Sequence, residues 1–176
     1  MKGLEFRRPI EGYFRICRLK GRRRSRLQST KSGIHVQGRA IGVVGAAGFI
    51  GRNLTERLRY ENRSVMQYTR AKPCISRDGT LESAVKSCSS IVWLASSINP
   101  LLAEEHPRLI VENATALRET LGGLHNLPYP PRFIYLSSGG TVYGESSPPP
   151  FSETDKPQPQ TAYGRAKLAE ELIVKD

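Results

Sequence analysis

The sequence has few of the residues that build metal centres and disulfide frameworks. It contains 176 residues, of which three are cysteines and three are histidines. Cys17, Cys74 and Cys88 are scattered without paired spacing, and no cluster of cysteine and histidine has the spacing of metal ligands. The sequence therefore predicts no metal site, and its cysteine usage fits the reducing cytoplasm.

Long apolar segments are also missing. The longest apolar runs are far shorter than the roughly 20 residues that span a bilayer, and the N-terminus lacks the apolar core of a secretory signal. We therefore expect a soluble, cytoplasmic protein with no membrane span. Its length suits one compact domain, usually roughly 100 to 200 residues, together with a tail.

The positive charge is concentrated at one end of the chain. Residues 1–40 hold 12 of the 27 lysines and arginines and two of the 16 acidic residues. The remaining 136 residues hold 15 basic and 14 acidic residues, so the globular part is close to neutral. The net charge of +11 is therefore weak support for nucleic-acid binding by the folded part.

Residues 1–38 show no sustained apolar period, which predicts a flexible basic N-terminal extension ahead of a domain at residues 39–176. The extension either contacts an anionic partner, such as nucleic acid or lipid, or is a leader without a function. Glu5 and Glu11 disfavour a transit peptide. We expect the extension to be dispensable for folding.

Beyond Ala40, short apolar runs alternate with helical patterns. Strands are predicted at "AIGVVG", "SVMQYT", "SIVWLAS" and "RFIYLSS", and helices at "FIGRNLTERLRYE", "LESAVKSC", "EEHPRLIVENATALRETLGGL" and the segment around Tyr163. The long helix is expected to end at the pair Gly122 and Gly123. Strands that alternate with helices predict an α/β fold with a doubly wound parallel sheet of the Rossmann type.

A glycine motif lies between the first predicted strand and helix. "GAAGFIG" places Gly45, Gly48 and Gly51 three residues apart. Glycine permits backbone angles closed to other residues, and the missing side chains allow a pyrophosphate to approach the helix N-terminus. The strand, turn and helix around the motif favour a dinucleotide site over a simple tight turn.

A second motif occurs in "TAYGRAKLAEELI", where Tyr163 and Lys167 are four residues apart. On a helix this spacing places the phenol and the ammonium on one face, which suits acid–base chemistry. The spacing also arises by chance on helix surfaces, so the pair alone is weak evidence.

Taken together, five motifs resemble the extended short-chain dehydrogenase/reductases, in particular the NAD-dependent epimerase/dehydratase family that acts on nucleotide sugars. The resemblance runs from about Ile41 to Asp176, through "VVGAAGFIGRNL", "IVWLASS", "VENATALRETL", "IYLSSGGTVYG" and "PFSETDKPQPQTAYGRAKLAEELI". It implies an enzyme that uses NADP or NAD, a nucleotide-sugar substrate and, for the complete enzyme, a homodimer. Nucleic acid is not an implied partner.

The resemblance also implies roles for individual residues. Tyr163 would take the proton from a sugar hydroxyl as hydride leaves the same carbon, and Lys167 would hold the nicotinamide ribose and favour the phenolate. Arg70 and Lys72 follow the second strand, where NAD users commonly have an acidic residue, and this leans the cofactor towards NADP. The full set of cofactor-binding residues would be Gly45, Ala47, Gly48, Phe49, Ile50, Gly51, Arg70, Leu94, Ala95, Ser96, Asn113, Tyr163 and Lys167.

The sequence departs from the family pattern at three places. The usual serine or threonine three residues before the valine of "VYG" is Gly139, so Thr141 is the first substitute, on the same face if the segment is extended, and Ser138 is the second. The stretch from Gly48 to Leu94 is short, which predicts a missing strand or helix near "AKPCISRDGT". The chain also stops at Asp176 in the Tyr163 helix, so we expect an N-terminal fragment with little activity alone.

Three functions are compatible with these observations. The first is an epimerase/dehydratase-type oxidoreductase, the second a dinucleotide-binding module without turnover or a degenerate paralogue, and the third a nucleic-acid binder with a basic arm. The complete tyrosine and lysine motif favours the first over the second, and the nearly neutral body disfavours the third.

Overall fold

The computed structural model describes residues 16–18, 40–76, 78–144 and 150–176. Its sheet contains five strands, which are β1 (Ile16–Arg18), β2 (Ala40–Val44), β3 (Val65–Tyr68), β4 (Cys88–Trp93) and β5 (Arg132–Leu136). Its helices are α1 (Phe49–Tyr60), α2 (Pro100–Glu105), α3 (Pro107–His125), α4 (Gly139–Tyr143) and α5 (Ala162–Lys175). A 3-10 helix covers Ser83–Ser87.

The sheet order is β1-β5-β4-β2-β3. The four strands β3, β2, β4 and β5 are parallel, and β1 pairs with β5 in the antiparallel direction. The carboxyl ends of the four parallel strands therefore meet at one edge of the sheet. In doubly wound folds this edge is where ligands bind.

The main core lies between the sheet and the helices α3 and α5. Most of its buried side chains come from the four parallel strands and from these two helices: Ala40, Val44, Tyr68, Cys88, Ile91, Trp93, Leu117, Leu121, Leu124, Phe133, Tyr135 and Val174. Cys74 and Val85, from the connection between β3 and β4, complete the core. Val43 is also fully buried but points to the opposite face of β2, because side chains alternate along a strand. The α1 helix packs against β2 and β3 and contributes none of the side chains in this core. The predicted doubly wound α/β fold is confirmed.

The described residues between β3 and β4 form no further strand of the sheet. They contain an isolated bridge between Ile75 and Leu81 and the short 3-10 helix. The structure thus agrees with the interpretation of "AKPCISRDGT" as a shortened connection. Among the described residues, no helix is both long enough and apolar enough to cross a bilayer.

Two of the predicted helix boundaries were wrong. The long helix begins as the separate α2, and α3 starts at Pro107, because a proline is favoured in the first turn of a helix and disfavoured in its interior. At the other end, α3 continues through Gly122 and Gly123 to His125. A side chain at Gly123 would lie 2.9 Å from Leu81 Cγ, so this glycine provides close packing and does not end the helix.

Strand β1 was not predicted, and it lies inside the segment that the sequence indicated to be flexible. Three residues are too few to show a period, so the pattern could not reveal a strand there. The pairs Ile16 with Leu136 and Arg18 with Ile134 place it along β5. The rest of residues 1–38 lies outside the described residues, and the basic extension remains a prediction.

Candidate functional site

The glycine turn lies at the carboxyl end of β2, between the ends of β3 and β4. Gly45 has a positive φ of 88° and donates its backbone N–H to the carbonyl of Tyr68 at 2.9 Å. Leu94 donates to the carbonyl of Val44 at 2.8 Å, which ties the end of β4 to the same place. A side chain at Gly45 would lie 2.7 Å from Ala95 N, so only glycine fits.

The other two glycines of the motif serve different purposes. A Cβ atom at Gly51 would overlap the carbonyl oxygen of Gly45 and lie 2.7 Å from Ala46 Cα, so Gly51 lets α1 pack onto the turn. A Cβ at Gly48 would meet only the Gly45 oxygen, at 3.3 Å, and the φ of Gly48 is an ordinary −73°. The fold therefore requires Gly45 and Gly51, whereas Gly48 leaves space above the turn.

The N-terminus of α1 opens onto that space. Gly48 is its N-cap, and no side chain caps the first turn. The first N–H groups of a helix have no partner within the helix, and the helix dipole favours an anion beside them. Phe49 is 79% exposed and Ile50 45% exposed, so apolar surface flanks the turn. A phosphate group with an apolar neighbour fits this arrangement.

A cleft of about 470 Å³ extends from this turn along the ends of β4 and β5. Its lining includes eight of the residues predicted for the site: Ile50, Leu94, Ala95, Ser96, Ser138, Thr141, Tyr163 and Lys167. Trp93, Leu136, Ser137 and Gly140 complete the lining and were not predicted. They follow from the topology, because they adjoin predicted residues at the ends of the same two strands.

The remaining predicted residues lie outside the cleft lining. Gly45, Ala47, Gly48, Phe49 and Gly51 form the turn and the start of α1. Arg70 follows β3, is exposed, and donates to Ser97 Oγ at 3.2 Å. Asn113, on α3, accepts the backbone N–H of Ser97 at 3.1 Å and donates to Ser96 Oγ at 3.5 Å. Asn113 thus fixes the loop after β4, which forms one wall of the cleft.

The segment that carries Ser138 and Thr141 is helical. Gly139–Tyr143 form α4 with Ser138 as N-cap, so the extended form, which was the condition for placing Thr141 on the same face as Gly139, is not the one adopted. Both residues still line the cleft because positions three apart share a helix face. Thr141 Oγ1 donates to the carbonyl of Ser138 at 3.2 Å. The buried Ser137 Oγ has no hydrogen-bond partner among the described atoms.

Local contacts fix the start of α5, where Tyr163 lies. The Thr161 side chain caps the helix by accepting the N–H of Gly164 at 3.0 Å, and Glu104 of α2 accepts the N–H of Ala162 at 2.7 Å. A side chain at Gly164 would overlap the carbonyl oxygen of Thr141, so this glycine lets α5 approach α4 closely. Tyr163 and Thr141 are thereby held on facing helices at the cleft.

Lys167 lies at the floor of the cleft and is only 5% exposed. Its Nζ atom donates to Glu170 Oε2 at 3.0 Å and to the hydroxyl of Tyr135 at 3.2 Å. Tyr135, which is fully buried, donates its own hydroxyl to the same Glu170 oxygen. The Lys167 ammonium also lies 5.9 Å from the centre of the Tyr163 ring, which places the predicted pair at one site.

Burial raises the pKa of Tyr163 above its ordinary value, and the negative charge of Glu170 raises the pKa further. A hydrogen bond with the Ser138 side chain acts in the opposite direction. The resemblance implies that Lys167 favours the phenolate, but in this structure the ammonium is paired with Glu170. The raised pKa of Tyr163 favours its neutral phenol form. Neither Glu170 nor Tyr135 was predicted for the site, because the motifs that contain them gave no role to these two positions.

Among the described residues, no group of three or more histidine, cysteine or acidic side chains could hold a metal ion. The chemistry that the cleft offers is that of a phenol, an ammonium and the hydroxyl groups of Ser96, Ser137, Ser138 and Thr141, beside a site for a phosphate. This combination suits proton transfer at a hydroxyl of a phosphate-bearing ligand.

The chain is similar in fold to solved structures of sugar-nucleotide enzymes. A structure of MoeE5 in complex with UDP-glucose and NAD is 26% identical, with a TM-score of 0.65. TunA, described as an NAD-dependent NDP-hexosamine 5,6-dehydratase of tunicamycin biosynthesis, is 22% identical with a TM-score of 0.64. The UDP-N-acetylglucosamine 4-epimerase from Bacillus cereus is 24% identical with a TM-score of 0.58.

Each of these matches covers 77% of this chain. It covers 48% of the MoeE5 and TunA chains and 53% of the epimerase chain, so the present chain spans about half the length of these proteins. A search of the curated proteins found no match. The model of the NAD dependent epimerase/dehydratase family matches residues 41–176, from β2 to the last residue of the chain. The chain therefore belongs to the NAD dependent epimerase/dehydratase family.

Proposed function

We propose that this chain binds a nicotinamide dinucleotide, with the pyrophosphate at the Gly45–Gly51 turn, and that Tyr163 and Lys167 serve proton transfer at a hydroxyl of a nucleotide sugar. One observation carries the proposal: a single cleft joins the open N-terminus of α1 to the Tyr163 and Lys167 pair. The dinucleotide, when bound, supplies the acceptor and donor of hydride. The protein supplies binding, orientation and the proton path.

Tyr163 is the group that exchanges a proton with the substrate. Because burial raises its pKa, Tyr163 can donate a hydrogen bond to the substrate oxygen as a phenol, and additional positive charge nearby would favour its phenolate. A bound oxidised nicotinamide ring carries such a charge. Ser138 and Thr141 line the same cleft and would hold the substrate hydroxyl in place of the side chain that Gly139 lacks.

The substrate class is part of the proposal. The MoeE5 structure contains UDP-glucose and NAD, and the B. cereus protein is a UDP-N-acetylglucosamine 4-epimerase. These similarities support a nucleotide sugar as the substrate, but they leave open whether the reaction is epimerisation, dehydration or reduction.

We also propose that residues 1–176 alone show little turnover, because rate acceleration depends on holding the sugar against the reacting groups. The match covers only 48% of the MoeE5 and TunA chains.

Turnover of nucleotide sugars tests this function. Residues 1–176 and the longest polypeptide that contains them in frame would each be incubated with UDP-, GDP- and dTDP-sugars and with NAD or NADP. We expect turnover in the longer polypeptide and a rate at least about a hundredfold lower in residues 1–176, since lost positioning costs several kcal/mol of the barrier. Equal rates would show that the domain suffices, and no turnover in either protein would contradict the enzymatic proposal.

The preference for NADP over NAD is a separate prediction. Arg70 is exposed after β3 and bonded only weakly to Ser97, at 3.2 Å, so its guanidinium can pair with a 2′-phosphate. We expect an Arg70→Ala variant to bind NADP about tenfold more weakly and NAD unchanged, consistent with the loss of one charge-assisted contact. Calorimetric titration with each dinucleotide measures both affinities, and Arg63→Ala is a suitable control for an exposed arginine away from the cleft. A preference for NAD that does not change in Arg70→Ala would contradict the prediction.

A further inference from the structure

Lys167 shares a buried cluster with two residues for which the sequence predicted no role. Glu170 is 3% exposed and Tyr135 is fully buried. The three polar groups meet at one oxygen, Glu170 Oε2, which receives both the Lys167 ammonium and the Tyr135 hydroxyl. A buried charge pair is stable only when its geometry and hydrogen bonds compensate for the lost hydration. Here the Oε2 atom of Glu170 receives two hydrogen bonds, whereas its buried Oε1 atom has no hydrogen-bond partner among the described atoms.

The cluster lies close to Tyr163. The Lys167 ammonium is 5.9 Å from the Tyr163 ring centre and 5.2 Å from the Tyr135 ring centre, so it is near both rings. Apolar side chains of the α2 and α3 region, including Ile98, Ala103 and Leu109, pack in one cluster with Tyr163. Because these neighbours are apolar, the charges of Lys167 and Glu170 near Tyr163 are weakly screened.

We propose that Glu170 is a positioning residue that acts through Lys167. The carboxylate of Glu170 cancels the electrostatic effect of the Lys167 ammonium at Tyr163. Lys167 by itself therefore does not make Tyr163 a base. The proposal rests on the proposed role of Tyr163 in proton transfer. Under it, Tyr163 remains a hydrogen-bond donor until positive charge arrives with a ligand, and the base is formed only in the loaded cleft.

Other charged groups near Tyr163 act less directly. Glu104 on α2 accepts the N–H of Ala162, one residue before Tyr163. Glu171, also on α5, raises the pKa of Tyr135 together with Glu170, but only Glu170 among the carboxylates raises the pKa of Tyr163. The described part of β5 contributes Tyr135, and that of α4 contributes no charged side chain. Glu170 is therefore the carboxylate to change, and Glu171 on the same helix is the matched control.

The test is the ionisation of Tyr163 in the full chain without any dinucleotide or substrate. Tyrosines would be isotope-labelled at Cζ and followed by NMR during a pH titration, with the Tyr163 signal assigned by its loss in Tyr163→Phe. In Glu170→Gln the amide keeps the shape of the side chain and removes its charge. We expect Tyr163 to titrate at least about one pH unit lower, which raises the phenolate-to-phenol ratio about tenfold at a given pH. Glu171→Gln should shift the signal by less than half as much.

A double variant keeps the test decisive if Glu170→Gln does not fold. Replacing both Lys167 and Glu170 with methionine removes a buried ion pair, a change that is often neutral or stabilising. Because the two charges cancel at Tyr163 in this proposal, Tyr163 should titrate in the double variant close to its position in the unchanged protein. A shift of one pH unit or more in the double variant, or no shift in a folded Glu170→Gln, would overturn the proposal. Neither result depends on dinucleotide binding or turnover, so the proposed function would be judged separately.

Discussion

A Tyr163→Phe variant of the longest in-frame polypeptide that contains residues 1–176 is expected to turn over about 10² to 10⁴-fold more slowly. This factor is the usual contribution of a positioned acid–base group. Phenylalanine keeps the ring that packs against Ala103 and Ala166 and removes only the hydroxyl, so the fold and the cleft should remain. Dinucleotide affinity should fall far less than turnover, because the variant removes one proposed contact and leaves the pyrophosphate site at the Gly45–Gly51 turn unchanged.

The measurement is the rate under saturating dinucleotide and sugar nucleotide, with affinity determined separately by calorimetry. Tyr129→Phe is the matched control, since Tyr129 is 76% exposed and lies outside the cleft. It should turn over at the unchanged rate. A Tyr163→Phe protein that retains more than about a third of the activity would remove Tyr163 from the proton path.

A Gly51→Ala variant is expected to be destabilised by about 3 kcal/mol, at the upper end of the range for forcing an extra carbon into a packed site. The added Cβ would overlap the Gly45 carbonyl oxygen and approach the Ala46 Cα and carbonyl carbon to 2.7 and 2.9 Å. All three are backbone atoms of the turn, so they cannot rotate away as a side chain would.

Urea denaturation gives the free energy of unfolding for this comparison. Gly122→Ala is the control, because it lies inside α3 and its Cβ would meet no atom within 4 Å. Alanine is the better helix former, so this variant should be stabilised by up to about 1 kcal/mol. If Gly51→Ala were as stable as Gly122→Ala, the close packing of α1 on the turn would be wrong.

The sequence could predict those parts of the fold whose patterns are long enough to show a period. The strands β2, β3, β4 and β5 were found because each is a short apolar run between turn residues, and α1 because its apolar residues recur at helical spacing. The glycine turn was found because three glycines have fixed offsets between a strand and a helix. The packing role of Gly123 depends on Leu81, a neighbour distant in sequence that no local pattern contains. The break before Pro107 follows from the local preference of proline for the first turn of a helix, and the prediction of one continuous helix overlooked this signal.

The candidate site divides in the same way. Tyr163, Lys167, Ser138 and Thr141 follow from motifs, and the structure brings them to one cleft. Glu170 and Tyr135 could not be predicted for the site, because their role arises from a hydrogen bond between α5 and β5. The two residues are 35 positions apart in the sequence. The helical form of α4 was also missed, since "SGGTVYG" contains two adjacent glycines and shows no period.

The central claim is that the turn from Gly45 to Gly51 holds the pyrophosphate of a dinucleotide, and Gly48 is the position at which fold and binding can be separated. Its Cβ would meet only one atom, at 3.3 Å, and its φ of −73° suits any residue. Aspartate is moreover a favoured N-cap, so Gly48→Asp should preserve α1 while its carboxylate occupies and repels the phosphate.

Calorimetric titration of the unchanged chain and of Gly48→Asp with NAD and NADP is therefore the most direct test. The unchanged chain is expected to bind one dinucleotide saturably, and Gly48→Asp to bind at least about a hundredfold more weakly at an unchanged melting temperature, a difference of roughly 2.7 kcal/mol. Equal affinity in the two proteins, or no binding by the unchanged chain, would contradict the account.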